Sequence, residues 1–403
     1  DSFGVTQGDM VLMEFAARLK KNLNKEEEVY RYNADQFAVI LNDIDEEKIN
    51  VIIDSIHQSK KEHFIAQSNQ IFIDLAIGYC IVNSFDQSFQ EIITNAEMAL
   101  IKAKKLRSKL AIRYDEKEAN FEVKNKVVLA NELRKALKEG KTNKDGKGLL
   151  LYYQRQVDCY DKKTCGAEAL IRWEHPTRGF ISPAQFLPVA EEFDLIFDLD
   201  KFVFITAAKD LYELTKKGIE LPISINLSST SLCNPKIVDL ISAVISRIKI
   251  NPKLLTIEIT ESAFIEEKQK SKEIVEQIKA LGLNVALDDF CTGYSSMEYL
   301  LSYPADYLKI DREFVKEIHT DAQRGNIVKG LITIAQSLGM SVIAEGVEKK
   351  EEANTLVKMN CNSIQGYFFG KPQKLEELVD VITKLGYSKS KGQVRFSENS
   401  QVL

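Results

Sequence analysis

Apolar positions along the chain fall into two regimes joined by a charged stretch. In the first 118 residues, helical spacing predicts helices over 11–23, 47–60 and 89–105. In the last of these, Ile92, Ala96, Ala99, Leu100 and Ala103 recur at the helical period. Ile71, Ile73 and Leu75 alternate instead and predict a strand over 70–82, and a strand pair is expected around 32–37. A Pro-free run over 119–138, with Val123, Val127, Ala130, Leu133 and Leu137 at helical spacing, predicts a connecting helix. It should end in the Gly- and Lys-rich segment 139–148.

Beyond residue 148, short apolar runs alternate with helical patterns, as βα units do. The runs are 149–157, 168–173, 223–227, 255–259, 285–288, 307–310, 342–345 and 363–368. The first two are joined by 159–164, too short for a parallel crossover, so they should form an antiparallel hairpin. The other connections can hold helices. The fold expected is α/β: a (β/α)8, TIM-like barrel with an antiparallel first strand, preceded by a smaller α/β unit with its own hairpin. The domain boundaries follow as 1–118, 119–148 for the connecting helix and linker, 149–387 for the barrel, and 388–403 for a polar tail.

Composition narrows the function classes. The chain carries 54 basic and 59 acidic residues, a net charge of −5, which argues against a nucleic-acid clamp and leaves no reason to expect DNA as a partner. No apolar run approaches the roughly 20 residues that cross a bilayer, and the first residues lack a signal-peptide pattern. Six scattered cysteines without a C-x-x-C pair read as reduced thiols of a cytoplasmic protein.

Strand alternation identifies the candidate chemistry. With Ile223, Ile225 and Leu227 on the helix-facing side, Ser224 and Asn226 face the barrel axis. The same parity sends Glu258, Asp288, Lys309 with Asp311, Glu345 and Gln365 inward, and places Glu168 and Arg172 on one face with Leu170. Any one of these is an ordinary core polar group when hydrogen-bonded. Several carboxylates on one low-dielectric axis are different, because unpaired they repel and take up protons. One Lys cannot balance Glu168, Glu258, Asp288, Asp289 and Glu345, but divalent cations can. A ligand set of oxygens without Cys or His favours Mg²⁺ or Mn²⁺ over zinc, and the adjacent aspartates suit two ions about 4 Å apart, the arrangement used for in-line attack on phosphorus.

These residues sit in ordered motifs: Glu168-Ala169-Leu170 with Ile171-Arg172-Trp173, Asn226-Leu227-Ser228, Glu258-Ile259-Thr260-Glu261-Ser262, Asp288-Asp289-Phe290, Leu308-Lys309-Ile310-Asp311, Glu345-Gly346-Val347-Glu348 and Gln365-Gly366-Tyr367. Together they resemble the EAL family of cyclic-di-GMP phosphodiesterases over about 149–372. The resemblance implies hydrolysis of cyclic-di-GMP to linear 5′-pGpG by two-metal in-line attack of water, in bacterial second-messenger signalling. It implies Glu168, Asn226, Glu258 and Asp288 at a first metal, and Asp288, Asp289 and Glu345 at a second. Lys309 would position the water with Asp311 nearby, and Gln365 would anchor a water or the substrate. Gln154, Leu170 and Arg172 would contact the dinucleotide, and Glu261 would brace the loop after the paired aspartates. A homodimer through the EAL domain is the assembly implied. Two positions depart from the family's habit: Cys291 replaces a usual Gly, and Arg155 a usual Pro. Neither removes a ligand. Cys291 strains its loop if φ there is positive, and otherwise packs as a small apolar residue.

The first region resembles part of a GGDEF domain, the diguanylate cyclase module, which implies a partial α+β, nucleotidyl-cyclase-like fold. Arg31-Tyr32-Asn33-Ala34-Asp35-Gln36-Phe37 and Asn95-Ala96-Glu97-Met98-Ala99-Leu100 follow that family's order. The signature is degraded: Asn33 and Ala34 stand for two glycines, and Gln36 for an acid. The inhibitory-site Arg-x-x-Asp is absent, Asn24-Lys25-Glu26-Glu27 standing there, and the chain starts beyond where the family's first strand is expected. Cyclase activity is therefore expected to be missing, which leaves a regulatory or dimerising role, with GTP as a ligand still open. Two rival readings of the barrel are a non-catalytic cyclic-di-GMP receptor and a Mg²⁺ barrel that abstracts a proton beside a carboxylate. The complete ligand set speaks against the first, and the lack of a second base against the second.

Overall fold

The computed structural model describes residues 5–388 apart from 24–27, 34, 43–44, 59–63, 67–68, 72, 83–86, 106–110, 141–146, 262, 264–267 and 291–302. Ala34, Ser262, Cys291 and the tail expected over 388–403 (beyond Ser388) lie outside the described residues. The chain divides into two compact units, Asp1–Asn125 and Lys126–Leu403.

In the first unit, α1 (Val5–Asn22) and α2 (Glu46–Gln58) accompany the antiparallel hairpin β1 (Glu28–Asn33) and β2 (Gln36–Ile40). Val11, Phe15 and Leu19 at helical spacing are buried in a small core with Ile56 and Phe64. Phe37 reaches that core, its ring 5.5 Å from that of Phe15 in an edge-on contact. The strand expected over 70–82 is broken in two. Asn69–Ile71 (β4) pairs with Phe64–Ala66 (β3), whereas Ile77–Tyr79 (β5) pairs in parallel with Ala111–Arg113 (β6). Ile71, Ile73, Leu75 and Ile77 all pack on the one core. The alternation thus reported burial, and a change of strand partner broke the ladder. Helix α3 (Phe89–Lys105) packs on β5 and β6, and α4 (Glu116–Glu139) follows. From Lys126 onward α4 belongs to the second unit, where Ala130 and Leu133 are buried with Trp173 and Phe186, but Val127 is exposed, contrary to its expected place on the apolar stripe.

The second unit is built on one sheet of nine strands: β7 (Gly148–Asp158), β8 (Thr164–His175), the short β9 (Gly179–Ile181), β10 (Ile223–Asn226), β11 (Leu255–Thr260), β12 (Asn284–Phe290), β13 (Tyr307–Ile310), β14 (Ser341–Ala344) and β15 (Ser363–Gln365). Strands β10 to β15 run parallel in order, β15 pairs with β7, β7 with β8, and β8 with β10, which closes an eight-stranded barrel. The β7–β8 hairpin is antiparallel, as the short connection requires. Ile223, Ile225, Leu255, Ile257, Ile259, Leu308 and Ile310 are buried against helices that include α5 (Ile196–Lys216). Their neighbours of opposite parity face the axis, so polar side chains gather there because the apolar ones are committed outward. Among the described residues, no helix is long and apolar enough to cross a membrane.

Candidate metal centre

The acidic side chains gather at the barrel mouth, several of them from the C-terminal ends of their strands. Glu168 lies on β8, Glu258 on β11, Asp288 and Asp289 on β12, and Glu345 directly follows β14. Glu168, Glu258 and Asp288 are buried, while Asp289 and Glu345 are half-buried. At their centre is the fully buried ammonium of Lys309 on β13. Its Nζ lies 2.5 Å from Glu258 Oε2, 2.7 Å from Glu345 Oε1, 3.0 Å from Asp288 Oδ2 and 3.9 Å from Glu168 Oε2. One cation therefore serves four carboxylates.

The paired aspartates need more than alternation, which would send neighbours to opposite faces. A β-bulge solves this. In the ladder between β12 and β13, Leu287 faces Leu308 and Phe290 faces Ile310, so Asp288 and Asp289 together stand against Lys309. Asp289 takes φ +54°, a left-handed conformation that Asp tolerates better than most residues. Its N–H donates to Asp288 Oδ1 at 2.9 Å. As a result Asp288, Asp289 and Glu345 each present an oxygen within 4.8 Å of the others.

Electrostatics follow from the crowding. Burial, together with Glu168, Asp288 and Glu345, pushes Glu258 well above the usual carboxylate range despite Lys309. Burial also raises Glu345 to about 8, with Lys309 opposing and Asp288 and Glu168 adding to the rise. Asp289 is raised by burial and then by Asp288 and Asp311. Burial works against the charge of Lys309, but the surrounding carboxylates outweigh it and hold the ammonium firmly protonated. Glu258 Oε1 is buried without a hydrogen-bond partner. A buried carboxylate oxygen in that condition, beside three more acids and hard oxygen donors only, fits a divalent cation of the Mg²⁺ or Mn²⁺ class.

The amides form a second layer. Asn226, exposed at the end of β10, donates Nδ2 to Glu168 Oε1 at 2.7 Å. Gln365 donates Nε2 to Glu168 Oε2 at 2.5 Å and to Gln154 Oε1 at 3.2 Å. Gln154 in turn donates to the Gly370 carbonyl at 3.1 Å, and Arg155 donates to the Phe369 carbonyl, its Nε at 2.7 Å. Leu170 and Arg172 are half-buried on the face that carries Glu168, with the guanidinium 5.9 Å from the Tyr152 ring centre. Asp311 caps the short helix Arg312–Val315 through Glu313 N–H at 2.8 Å. Glu261 is buried just past β11, and the loop assigned to it, 291–302, lies outside the described residues.

Several supports were not legible in the motifs. Asp200 on α5 accepts from Ser228 N–H at 3.2 Å and Oγ at 2.5 Å, fixing the turn after Asn226. Buried Glu352 accepts from the N–H groups of Glu317, Glu348 and Lys349 at 2.9–3.1 Å, clamping the loop that follows Glu345. Gly346, next to Glu345, takes φ +67° against Arg312, where a Cβ would lie 2.3 Å from the Arg312 Cβ. Gln156 lies two residues from Gln154 and shares its face of β7, a signal that strand alternation carries.

Comparison with known proteins places this geometry. A family model described as EAL domain matches residues 130–372, and one described as "Diguanylate cyclase, GGDEF domain" matches residues 1–109. The chain is 30% identical over 380 residues to the bifunctional diguanylate cyclase/cyclic di-GMP phosphodiesterase MucR of Pseudomonas aeruginosa, covering 94% of this chain and 54% of MucR. It is 29% identical to the cyclic di-GMP phosphodiesterase PdeR of Escherichia coli, over 92% of this chain and 55% of PdeR. The chain thus spans about half the length of the curated relatives it matches. A solved structure described as "PaMucR Phosphodiesterase, c-di-GMP complex" superposes with a TM-score of 0.58 at 36% identity, over 62% of this chain and 99% of that one.

Proposed function

Because this chain belongs to the EAL domain family, with a GGDEF-family segment ahead of its barrel, we propose that it is a cyclic-di-GMP phosphodiesterase yielding linear 5′-pGpG. The observation that carries the reading is the excess of acid at one point: four carboxylates around the Lys309 ammonium, with Glu258 Oε1 still unpartnered. Glu168, Asn226, Glu258 and Asp288 would hold one divalent cation, and Asp288, Asp289 and Glu345 a second, as Mg²⁺ or Mn²⁺. Cations held there would supply a lowered pKa for water, toward neutrality, and an offset for charge growing on the phosphate. This is why no histidine base is required.

The remaining roles belong to the chain's own groups. Lys309 keeps its proton and orients the attacking water by donating to it, while holding Glu258 and Glu345 in place. Asp311 completes the polar wall beside Asp289. Arg172 binds a phosphate of the dinucleotide, Gln154 and Gln365 orient its edge, Leu170 packs against it, and Glu261 braces the following loop. The GGDEF-family segment serves regulation or dimerisation without cyclase activity, GTP being its one nucleotide candidate. The protein acts in the cytoplasm as a homodimer through the EAL domain. The relatives named as phosphodiesterases and the cyclic-di-GMP complex support the substrate class.

The test is chromatographic. Incubated with cyclic-di-GMP and Mg²⁺ or Mn²⁺, the chain should release linear 5′-pGpG, and EDTA should stop it. Cyclic-di-GMP that binds but stays intact with either cation would replace the enzyme by a non-catalytic receptor.

A further inference from the structure

A polar relay runs along the barrel axis below the acids. Gln156 on β7 is buried, as is Gln365 on β15, and Gln156 donates Nε2 to Gln365 Oε1 at 3.1 Å. Gln365 then spends its own Nε2 on Glu168 Oε2 at 2.5 Å and Gln154 Oε1 at 3.2 Å. A primary amide has two ends of opposite character, and a carboxylate can face only the donating one. The orientation of Gln365 is therefore fixed from both sides: Glu168 demands the NH₂ group, and Gln156 supplies the donor that the oxygen end requires. Without that donor, the Gln365 oxygen would be buried and unpaired, and rotation of the amide would turn oxygen toward Glu168.

Two further observations mark Gln156 as more than packing. Gln156 lines a cavity of about 470 Å³ at the N-terminal end of the strands, with Ser224, Thr256, Tyr307, Ser341 and Ser363. It thus joins a polar chamber on one side of the barrel to the acidic cluster on the other. Gly166, opposite Gln156 on β8, leaves the room it needs: a Cβ there would stand 2.7 Å from Gln156 Oε1.

We propose that Gln156 is a positioning residue of the metal centre, acting through Gln365 to fix the Glu168 carboxylate in its ligand orientation. The proposal rests on the reading of Glu168 as a cation ligand. Groups that orient metal ligands change affinity or activity by about 10- to 100-fold when lost.

The test uses the full chain, Mn²⁺ alone as the probe, and electron paramagnetic resonance to follow binding. Gln156→Met keeps the volume and removes the donor. It should weaken Mn²⁺ binding and lower kcat by about tenfold each, with KM for cyclic-di-GMP changed by less than about twofold. Gly166→Ala, which keeps every site side chain and presses only on the flexible end of Gln156, should weaken Mn²⁺ binding in the same direction. In a Gln365→Met background, Gln156→Met should add nothing, because the relay is already cut. Unchanged Mn²⁺ affinity in both Gln156→Met and Gly166→Ala would overturn the role, as would a full additional loss in the Gln365→Met background. If the unmodified chain binds no Mn²⁺, the reading of Glu168 as a ligand falls, and the role of Gln156 with it.

Discussion

At the tip of the β1–β2 hairpin, Asn33 and Asp35 are exposed and Gln36 is half-buried, and Tyr30 and Tyr32 stand open to solvent beside them. At the barrel mouth, Glu168, Glu258 and Asp288 are buried around Lys309. Both regions carry polar residues in family-like order, yet only one concentrates uncompensated charge. Acid spread over a solvated hairpin costs little and binds little, because water screens it. Acid drawn to one low-dielectric point by strand parity and a β-bulge must find positive charge or protons, and that demand is what recruits a cation. The contrast predicts chemistry in the barrel and none at the hairpin.

The largest expected effect comes from removing the proposed ligand that touches both layers of the site. Glu168→Ala should cut cyclic-di-GMP turnover by at least about a hundredfold. Near wild-type rates in that variant would dissolve the two-cation assignment. Next in size is Lys309→Met, which leaves the four carboxylates without their ammonium. Breaking a buried pair from one side costs about 3 kcal/mol, so chemical denaturation in EDTA should show a loss on that scale. Added Mn²⁺ should return part of it, and an unchanged midpoint would mean that the acids do not depend on Lys309.

The pH response has a defined sign. Folding lifts Glu345 from an ordinary 4.5 to about 8, so the folded chain holds that proton more tightly than the unfolded one. Its contribution to stability is complete below pH 4.5 and is lost as pH rises to about 8. In EDTA the wild type should therefore lose thermal stability over that window relative to Glu345→Gln. Mn²⁺, which takes the carboxylate in its charged form, should narrow the gap. A gap of opposite sign would contradict the crowded-acid picture.

The smallest effect is expected at the hairpin. With Glu168→Ala preventing breakdown, GTP should yield no cyclic-di-GMP, and accumulation of that product would erase the contrast between the two regions.

What could be read from the chain divides along physical lines. Strand parity alone placed Asn226, Glu258, Asp288, Lys309 and Glu345 at one mouth, because a period of two is fixed by covalent geometry once the apolar face is known. The closed barrel followed from run spacing. Parity could not account for Asp289, since the bulge that turns it toward Asp288 depends on pairing with β13, a partner distant in sequence. The single strand expected over 70–82 failed for the same reason: Ile71, Ile73, Leu75 and Ile77 share one core, but β4 and β5 pair with different strands. Val127 was misplaced because helical period fixes a stripe only to within about a residue's width. The clamps made by Asp200 and Glu352 join residues far apart in the chain, and no local pattern announces them.

The central claim is that the acids at the barrel mouth form a site for two cations. Counting Mn²⁺ bound at saturation by the full chain, by equilibrium dialysis with resonance detection, tests it most directly. The account predicts about two ions per chain for the wild type and about one for Asp289→Ala. A wild-type chain that retains no Mn²⁺, or an Asp289→Ala chain that retains the full complement, would contradict it.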